Sequence, residues 1–459
     1  MPQATTQRKI PTDFTEGSIT ASILKMGLPS MFGFLAQHIY AMADMFWVSQ
    51  LPQAEAGVAA ITFFTNVQWI LFSFNSLVGP GSVAIISRRY GEKNYDLAEK
   101  AIKETLLLKL SVGLLLGFAG WMFLTQILGL LGAQGETLAL GTGYGQIMLV
   151  ALPIMFATYS IFTAMRGVAN PNLAMGLMLG SNALNLILDP FLIFGWVGFP
   201  ELGINGAAYA SALSYCLTFA VGMWLFGTKH TNVPVRVLSG ETVSLNSMWK
   251  MIRIGTPAWL GELSFSGSRM LITPMVAGFG TAVVAAYGVG MQLFAFGISI
   301  LVGMGLGLSS LIGHNLGSEK YERAKATADR AIVIGVGVMS ALSIACLFAG
   351  RFYMGLFFES PETISYGATL LRIMGLGLPF FGAFITTEMI HQGVGLNTPT
   401  MVVSIIHSWG LQVVPALIVT QMFGLDQNAV WWVLTVSGMI SSTGFYLYYR
   451  RGRWLTIKV

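Results

Sequence analysis

The sequence predicts an all-α integral membrane protein with twelve transmembrane helices in two pseudo-symmetric bundles of six. Three observations predict this class. Of the 459 residues, 54% are hydrophobic and only 10% are charged, whereas soluble domains carry about 25% charged residues. Twelve apolar runs are long enough to cross a bilayer, and the second half of the chain repeats the first.

The spans follow from the thickness of the bilayer, because a helix needs about 20 apolar residues to cross roughly 30 Å of hydrocarbon. The twelve runs have the approximate limits 18–49, 55–88, 104–131, 140–166, 171–197, 203–227, 249–278, 281–315, 327–350, 364–392, 397–424 and 428–449. Several runs exceed the minimum length, which allows those helices to tilt or kink.

The links between the runs alternate in charge. One set is basic and includes Arg88, Arg89 and Lys93, whereas the other is acidic, with Arg351 as its basic exception. The positive-inside rule places the basic links and both termini in the cytoplasm. The polar residues 1–16 lack the apolar core of a signal peptide, so we expect them to form a short cytoplasmic tail.

The composition argues against several other classes of function. The formal charge of +5 is concentrated at one membrane face, as in any multispan protein, so nucleic acid is not an expected partner. Cys216 and Cys346 both lie in apolar runs, which argues against a disulfide framework or a metal cluster. The sequence contains no HExxH motif and no nucleophile elbow, which argues against a membrane-embedded enzyme.

The repeat divides the chain into two copies of one unit. A shift of 226 residues superimposes the segment 85–101 on 311–327 and Gly79 on Gly305. Each copy crosses the membrane an even number of times, so both have the same orientation and are related by an axis along the membrane normal.

From this symmetry we predict an N-terminal lobe at 1–227 and a C-terminal lobe at 249–459, joined by a cytoplasmic linker at 228–248. Paired lobes of this kind commonly enclose a central cavity and rock against each other. A repeat also occurs in channels, but no segment resembles a re-entrant selectivity filter. A transporter is therefore favoured.

Polar side chains form two stripes in the first half, one on the first predicted helix and one on the fifth. Successive members are three and four residues apart, which places them on one helix face. The stripes consist of Gln37, Tyr40 and Asp44 and of Asn182, Asn185 and Asp189. The positions that correspond to the two aspartates in the second half are apolar. They are Met270 or Ile272 and Val414 or Pro415.

Four carboxyl groups fall inside apolar runs: Asp44, Asp189, Glu262 and Glu388. An intramembrane acid costs several kcal/mol and therefore predicts a functional site. Burial favours the protonated carboxyl, so each aspartate can carry a proton. Amide and hydroxyl oxygens nearby, including that of Ser211, make sodium the alternative ion. A purely structural role in bonding helices together stays open.

The remaining intramembrane features are less specific. Glu262 lies seven residues before Arg269 on one helix face, so a structural ion pair and a functional role are both open. Glu388 is near the cytoplasmic end of its run, which favours a structural role. Pro29 interrupts the first helix, where it removes a backbone hydrogen bond and permits a hinge.

The duplicated layout and three segments resemble the multidrug and toxic compound extrusion (MATE) transporters over essentially the whole chain. The segments are RRYGEKNYDLAEKA, ADMFWVSQLPQAEAGVAA and LNLILDPFLIFGWVGFPELGINGAAYASALSY. The resemblance implies a MATE/MOP-type fold. Asp44 and Asp189, with no acid at the corresponding positions of the second half, resemble the DinF-like prokaryotic branch.

The resemblance to that branch implies a set of coupling residues. Asp44 and Asp189 would carry proton or sodium coupling, and Asn185 with the hydroxyl of a GAAxAT motif would complete the site. This chain reads GAAYAS, so Ser211 replaces the threonine and retains its oxygen. Pro29 matches the proline at which the first helix is thought to bend when its acid is protonated.

The resemblance also implies the cargo and the setting. We expect export of amphipathic, often cationic drugs and toxins by antiport, without a cofactor, by a monomer surrounded by lipid in a bacterial or archaeal cytoplasmic membrane. Methionine and aromatic side chains adapt to varied ligands and attract organic cations. The candidates to line or support the cavity are Gln37, Tyr40, Asn182, Tyr144 and Met178.

A lipid-linked precursor flippase is the alternative within the same superfamily. Such a protein would be expected to have additional spans and a basic cavity that binds pyrophosphate. Arg269 and Arg372 are the only arginines well inside the apolar runs, so drug efflux is favoured.

Overall fold

The computed structural model describes residues 13–52, 54–228, 230–235 and 243–457, without the side chains of 38–43, 45 and 54. The predicted roles of residues 1–12, of 229 and 236–242 within the 228–248 linker and of the Tyr40 side chain therefore lie outside the described residues. The helices are α1 (Ile19–Val48), α2 (Ala54–Ser73), α3 (Asn75–Gly91), α4 (Tyr95–Leu130), α5 (Gly135–Gly167), α6 (Pro171–Phe194), α7 (Ile204–Gly227), α8 (Leu245–Ala277), α9 (Thr281–Gly317), α10 (Tyr321–Gly355), α11 (Pro361–Gly375), α12 (Leu378–Val394), α13 (Thr398–Met422) and α14 (Gln427–Arg450).

Each of the twelve predicted runs coincides with one helix or with a broken pair of helices. Among the described residues, ten helical segments are long and apolar enough to cross a membrane, and α11 with α12, bent by 54°, makes an eleventh. The twelfth run is α8, a helix of 33 residues whose apolar character is reduced by charged side chains such as Glu262 and Arg269.

Prolines explain where helices depart from regular geometry. Two π-helical stretches, Ile406–Val413 and Ile418–Met422, flank Pro415 in α13. A proline has no N–H and clashes with the carbonyl four residues earlier, so the helix widens locally to accommodate it. By contrast, α1 continues as an α-helix through Pro29.

The two halves, α1–α7 and α8–α14, meet through contacts that the repeat relates to each other. Helix α3 packs on α8, and α9 packs on α1. A Cβ atom on Gly91 would overlap the carbonyl of His314, and one on Gly317 would overlap the carbonyl of Arg88. Since a shift of 226 residues relates Gly91 to Gly317 and Arg88 to His314, the crossing is symmetric. Glycine at both positions permits the close approach of the backbones.

Polar contacts reinforce this crossing at the end of the bundle where the described chain begins and ends. Ser318 Oγ donates to the Gly91 carbonyl at 2.7 Å, and Arg88 Nη2 donates to the Ile457 carbonyl at 2.8 Å. Lys320 Nζ donates to Thr15 Oγ1 at 2.9 Å. The N-terminal segment before α1 is thereby tied to the second half.

Buried apolar side chains form two clusters. The larger cluster extends through the second half and joins the first half near the chain ends, with Met26, Ile86 and Ile312 fully buried. Within the described residues the smaller cluster contains side chains of the first half only, among them Phe64 and Phe156. The halves thus share a core at one end, while the first half has its own core at the other end.

Candidate cation-coupling site

The two polar stripes of the first half face each other. Asp44 on α1 meets Asn185 and Asp189 on α6, and Ser211 on α7 closes the group. All four side chains are buried, with exposed fractions of 7%, 1%, 0% and 0% in that order. The spacing of four residues between Asn185 and Asp189 gives one face of α6 both the amide and the carboxyl.

Asn185 lies at the centre of the group. The hydrogen-bonding pattern orients its amide so that the nitrogen donates to Asp44 Oδ1 at 3.0 Å and to Asp189 Oδ2 at 3.2 Å. Its oxygen then accepts from the Ser211 backbone N–H at 3.0 Å and from Ser211 Oγ at 3.3 Å. One amide therefore connects α1, α6 and α7.

The two carboxyl groups lie close together, because the Asn185 amide nitrogen is within hydrogen-bonding distance of one oxygen of each. Two buried carboxylates this close cannot both ionise without strong repulsion. Ionisation of one carboxyl group therefore disfavours ionisation of the other.

The donor set fits sodium in chemistry but not in orientation. Hard cations prefer oxygen ligands, and in the described structure Asp189 Oδ1 is buried without a hydrogen-bond partner. However, the Asn185 amide directs its nitrogen toward the carboxyls and its oxygen toward Ser211. The amide would have to turn over to coordinate a metal ion, whereas a proton fits the arrangement as it stands.

The predicted supporting residues lie at different distances from this centre. Tyr144 is 5% exposed, interacts electrostatically with both aspartates and packs edge to face on Phe64. Met178 is buried and lies against Gly33 of α1, where a Cβ would be 2.9 Å from its sulfur. Asn182 is half-buried, and in the described structure its Nδ2 has no hydrogen-bond partner.

Gln37 is directed to a different group from the aspartates. Its Nε2 donates to the Tyr159 hydroxyl at 2.8 Å, and the ring of Tyr159 lies 6.4 Å from that of Tyr215 on α7. Pro29 is half-buried and lines a cavity of about 650 Å³ between the start of α1 and the start of α6.

The two glutamates of the second half lie outside this group. Glu262 lies near Ser76 of α3, and no ion pair with Arg269 is formed within the described chain, so that structural alternative was wrong. Glu388 lies near Gln392 of its own helix.

Sequence reasoning missed an intramembrane cation. Lys109 of α4 is 3% exposed, donates to the Asn75 carbonyl at 3.1 Å and lies over the ring of Phe156. A lysine near the start of an apolar run usually extends its side chain back to the membrane interface, so Lys109 did not stand out beside the acids and arginines. Counting lysines among the intramembrane charges would have identified it.

A repeated helical scaffold with a buried carboxyl pair in one half is typical of a secondary membrane transporter. Comparison with known proteins agrees. The family described as MatE matches residues 29–191 and 257–418, once in each half, so the chain belongs to the MatE family. Members of this family are transporters, and the protein is therefore a multi-pass membrane transporter and not an enzyme.

Relatives and solved structures align over nearly the full length. The multidrug export protein MepA of Staphylococcus aureus (strain MRSA252) is 26% identical over 97% of this chain and 96% of its own. The probable multidrug resistance protein YoeA of Bacillus subtilis (strain 168) is 27% identical over 94% of each chain. An outward-facing multidrug resistance MATE transporter of the MOP superfamily superimposes with a TM-score of 0.87, at 25% identity over 98% of this chain and 99% of that chain. These matches agree with the predicted MATE/MOP-type fold of two repeated halves.

Proposed function

We propose that the protein is a proton-coupled multidrug efflux antiporter that exports amphipathic, often cationic compounds. The observation that carries the proposal is the buried carboxyl pair of Asp44 and Asp189, bridged by the Asn185 amide in a half that has its own core. A proton shared between the two groups is part of the proposal. The names of MepA and YoeA support multidrug export as the activity. We further propose that it works as a monomer in a bacterial or archaeal cytoplasmic membrane with both termini in the cytoplasm.

The chemistry of the pair explains how a proton gradient would drive export. When both groups are ionised, their repulsion and the cost of burial favour either uptake of a proton or binding of an organic cation nearby. A site that holds either a proton or an organic cation, but not both, exchanges the two across the membrane as the cavity opens alternately to each side.

The position of Asp44 would transmit this change to the rest of the protein. Asp44 lies on α1, which packs along α6 in its own half and along α9 in the other. A change in the charge of the pair therefore acts on a helix that both halves contact. Alternating access would follow if α1 has different positions in the protonated and ionised states.

The test is dye efflux from liposomes that contain purified protein under an imposed pH gradient. We expect Asp44→Asn and Asp189→Asn to reduce gradient-driven efflux to the level of empty liposomes, because an amide cannot exchange a proton. Asp96→Asn, at an exposed aspartate in the first turn of α4, is the matched control and should transport normally. Normal efflux in both site variants would refute the proposal.

A sodium gradient without a pH gradient distinguishes the coupling ions. We expect little efflux under sodium alone, because the Asn185 amide has its nitrogen toward the carboxyls. Efflux driven equally well by sodium would transfer the coupling role to that ion and leave the site assignment in place.

A further inference from the structure

The contact between Gln37 and Tyr159 has no part in the mechanism above. Gln37 Nε2 donates to the Tyr159 hydroxyl at 2.8 Å, which joins α1 to α5. Gln37 and Asp44 are seven residues apart, two turns on one face of α1 and about 10 Å along its axis. Helix α1 is thus bonded to its own half at two polar points, Asp44 to α6 and Gln37 to α5.

The Tyr159 hydroxyl is held in place by its surroundings. Its ring packs edge to face on Phe72 at 5.3 Å and on Phe162 at 5.9 Å, and it lies 6.4 Å from the ring of Tyr215. A side chain packed on several sides keeps one rotamer, so the hydroxyl meets Gln37 without first having to be ordered. The aromatic packing would remain if the hydroxyl alone were removed.

The helices that carry this group also carry the carboxyl site. Tyr215 of α7 lies beside Tyr159, with their ring centroids 6.4 Å apart, and its backbone carbonyl accepts from Thr158 Oγ1 at 3.3 Å, which fixes α7 against α5. Ser211, one turn before Tyr215 on α7, donates to the Asn185 amide oxygen. The bond to Gln37 and the site around Asp44 are therefore joined through α1 and α7 of the first half.

We propose that Tyr159 is a positioning residue for transport: its hydroxyl holds Gln37 and keeps α1 where Asp44 reaches Asn185 and Asp189. The inference rests on the proposed coupling role of that pair. Removal of the hydroxyl takes away the anchor at Gln37, so that of these two contacts only the one at Asp44 still holds α1. Asp44 then lies on a more mobile α1 when it meets Asn185 and Asp189. Protonation of the pair and the movement of α1 therefore become less tightly linked.

Hydrogen–deuterium exchange of the purified protein tests the anchor without any transport. We expect Tyr159→Phe to speed exchange of the amides in 30–48 by about 3- to 10-fold, since a net hydrogen bond has that effect on an opening equilibrium. Gln37→Leu should have the same effect, and the double variant should exceed neither single variant. Tyr209→Phe, at an exposed tyrosine of α7, should leave exchange unchanged. Unchanged exchange in both single variants, or additive effects in the double variant, would refute the anchor.

The pH profile of efflux tests the link to coupling. We expect the pH of half-maximal efflux to shift in Tyr159→Phe and by a similar amount in Gln37→Leu, with Tyr209→Phe like the wild type. A normal pH profile with faster exchange would overturn the positioning role and leave only a structural bond. If Asp44→Asn and Asp189→Asn transport normally, the proposed function fails, whereas the exchange experiment still decides on the anchor.

Discussion

The two halves of the protein share a scaffold and differ in chemistry. The crossing of α3 and α9 is symmetric, with Gly91 against His314 and Gly317 against Arg88. The carboxyl pair has no such partner, because the residues at the corresponding positions are apolar. One of these counterparts, Pro415, lies between the two π-helical stretches of α13.

This difference teaches that the two features have different physical requirements. A close helix crossing needs small residues on both sides of the axis, since a Cβ on either side would overlap a backbone carbonyl. A coupling site needs one buried pair of acids with its amide and hydroxyl partners, and a second pair would add another desolvation cost. Duplication therefore preserved the packing in both copies and left the pair of aspartates in one.

The largest effect is expected when an acid is placed in the second half, at a position that corresponds to Asp44. Ile272, a counterpart of Asp44, is 2% exposed, and Ile272→Asp would bury a carboxyl without the amide partner that Asn185 provides. We expect a loss of about 3–5 kcal/mol in stability, as for an uncompensated buried charge, measured by thermal unfolding in detergent. The volume-conserving Ile272→Leu should cost less than about 1.5 kcal/mol. Equal melting curves for the two variants would contradict this account.

The symmetric crossing can be tested through its glycines. We expect Gly317→Ala and Gly91→Ala each to destabilise the protein by about 1–3 kcal/mol, the usual cost of overpacking, because the added methyl would meet backbone carbonyls that cannot move aside. Gly129→Ala on α4 is the control, since a Cβ there meets nothing within 4 Å. Melting temperatures of all three variants give the comparison. A large effect at only one of the two crossing glycines would show that the crossing is not energetically symmetric.

A smaller effect is expected at Ser211. Its backbone N–H and its hydroxyl both donate to the Asn185 oxygen, and Ser211→Ala removes only the hydroxyl bond. A net loss of about 0.5–1.5 kcal/mol should slow pH-driven efflux by up to roughly ten-fold, whereas Ser211→Thr retains the oxygen and should transport well. Initial rates of dye efflux distinguish the variants. If Ser211→Ala transports like the wild type and Ser211→Thr does not, the hydroxyl is not the important group.

The smallest expected effect concerns the segment before α1, a feature of one half only. Partial burial opposes ionisation of Asp13, but hydrogen bonds from Thr15 and the charge of Lys320 outweigh it and lower the pKa of Asp13 below 3.8. A depressed pKa contributes stability above the unfolded value and loses it as the pH falls through the folded value. We therefore expect faster amide exchange in residues 13–24 below about pH 4. Asp13→Asn should remove most of this dependence on pH, and an unaltered dependence in that variant would assign it to another group.

Much of the fold could be predicted from the sequence because hydropathy and repetition are local signals. The twelve runs coincide with helices or helix pairs, and the family matches once in each half. The breaks at Phe74 and between α11 and α12 were not predicted, since a continuous apolar run does not reveal a bend.

The amino-acid sequence by itself determined that Asp44 and Asp189 have apolar counterparts in the second half and that Asp189 shares a helix face with Asn185, because helical periodicity and composition act within a single segment. Only the tertiary structure decided that Asp44 and Asp189 meet around Asn185, that Gln37 is directed to Tyr159, and that Glu262 forms no ion pair with Arg269 in the described chain. These contacts join helices distant in the chain, and the packing of those helices sets which polar groups come within hydrogen-bonding distance.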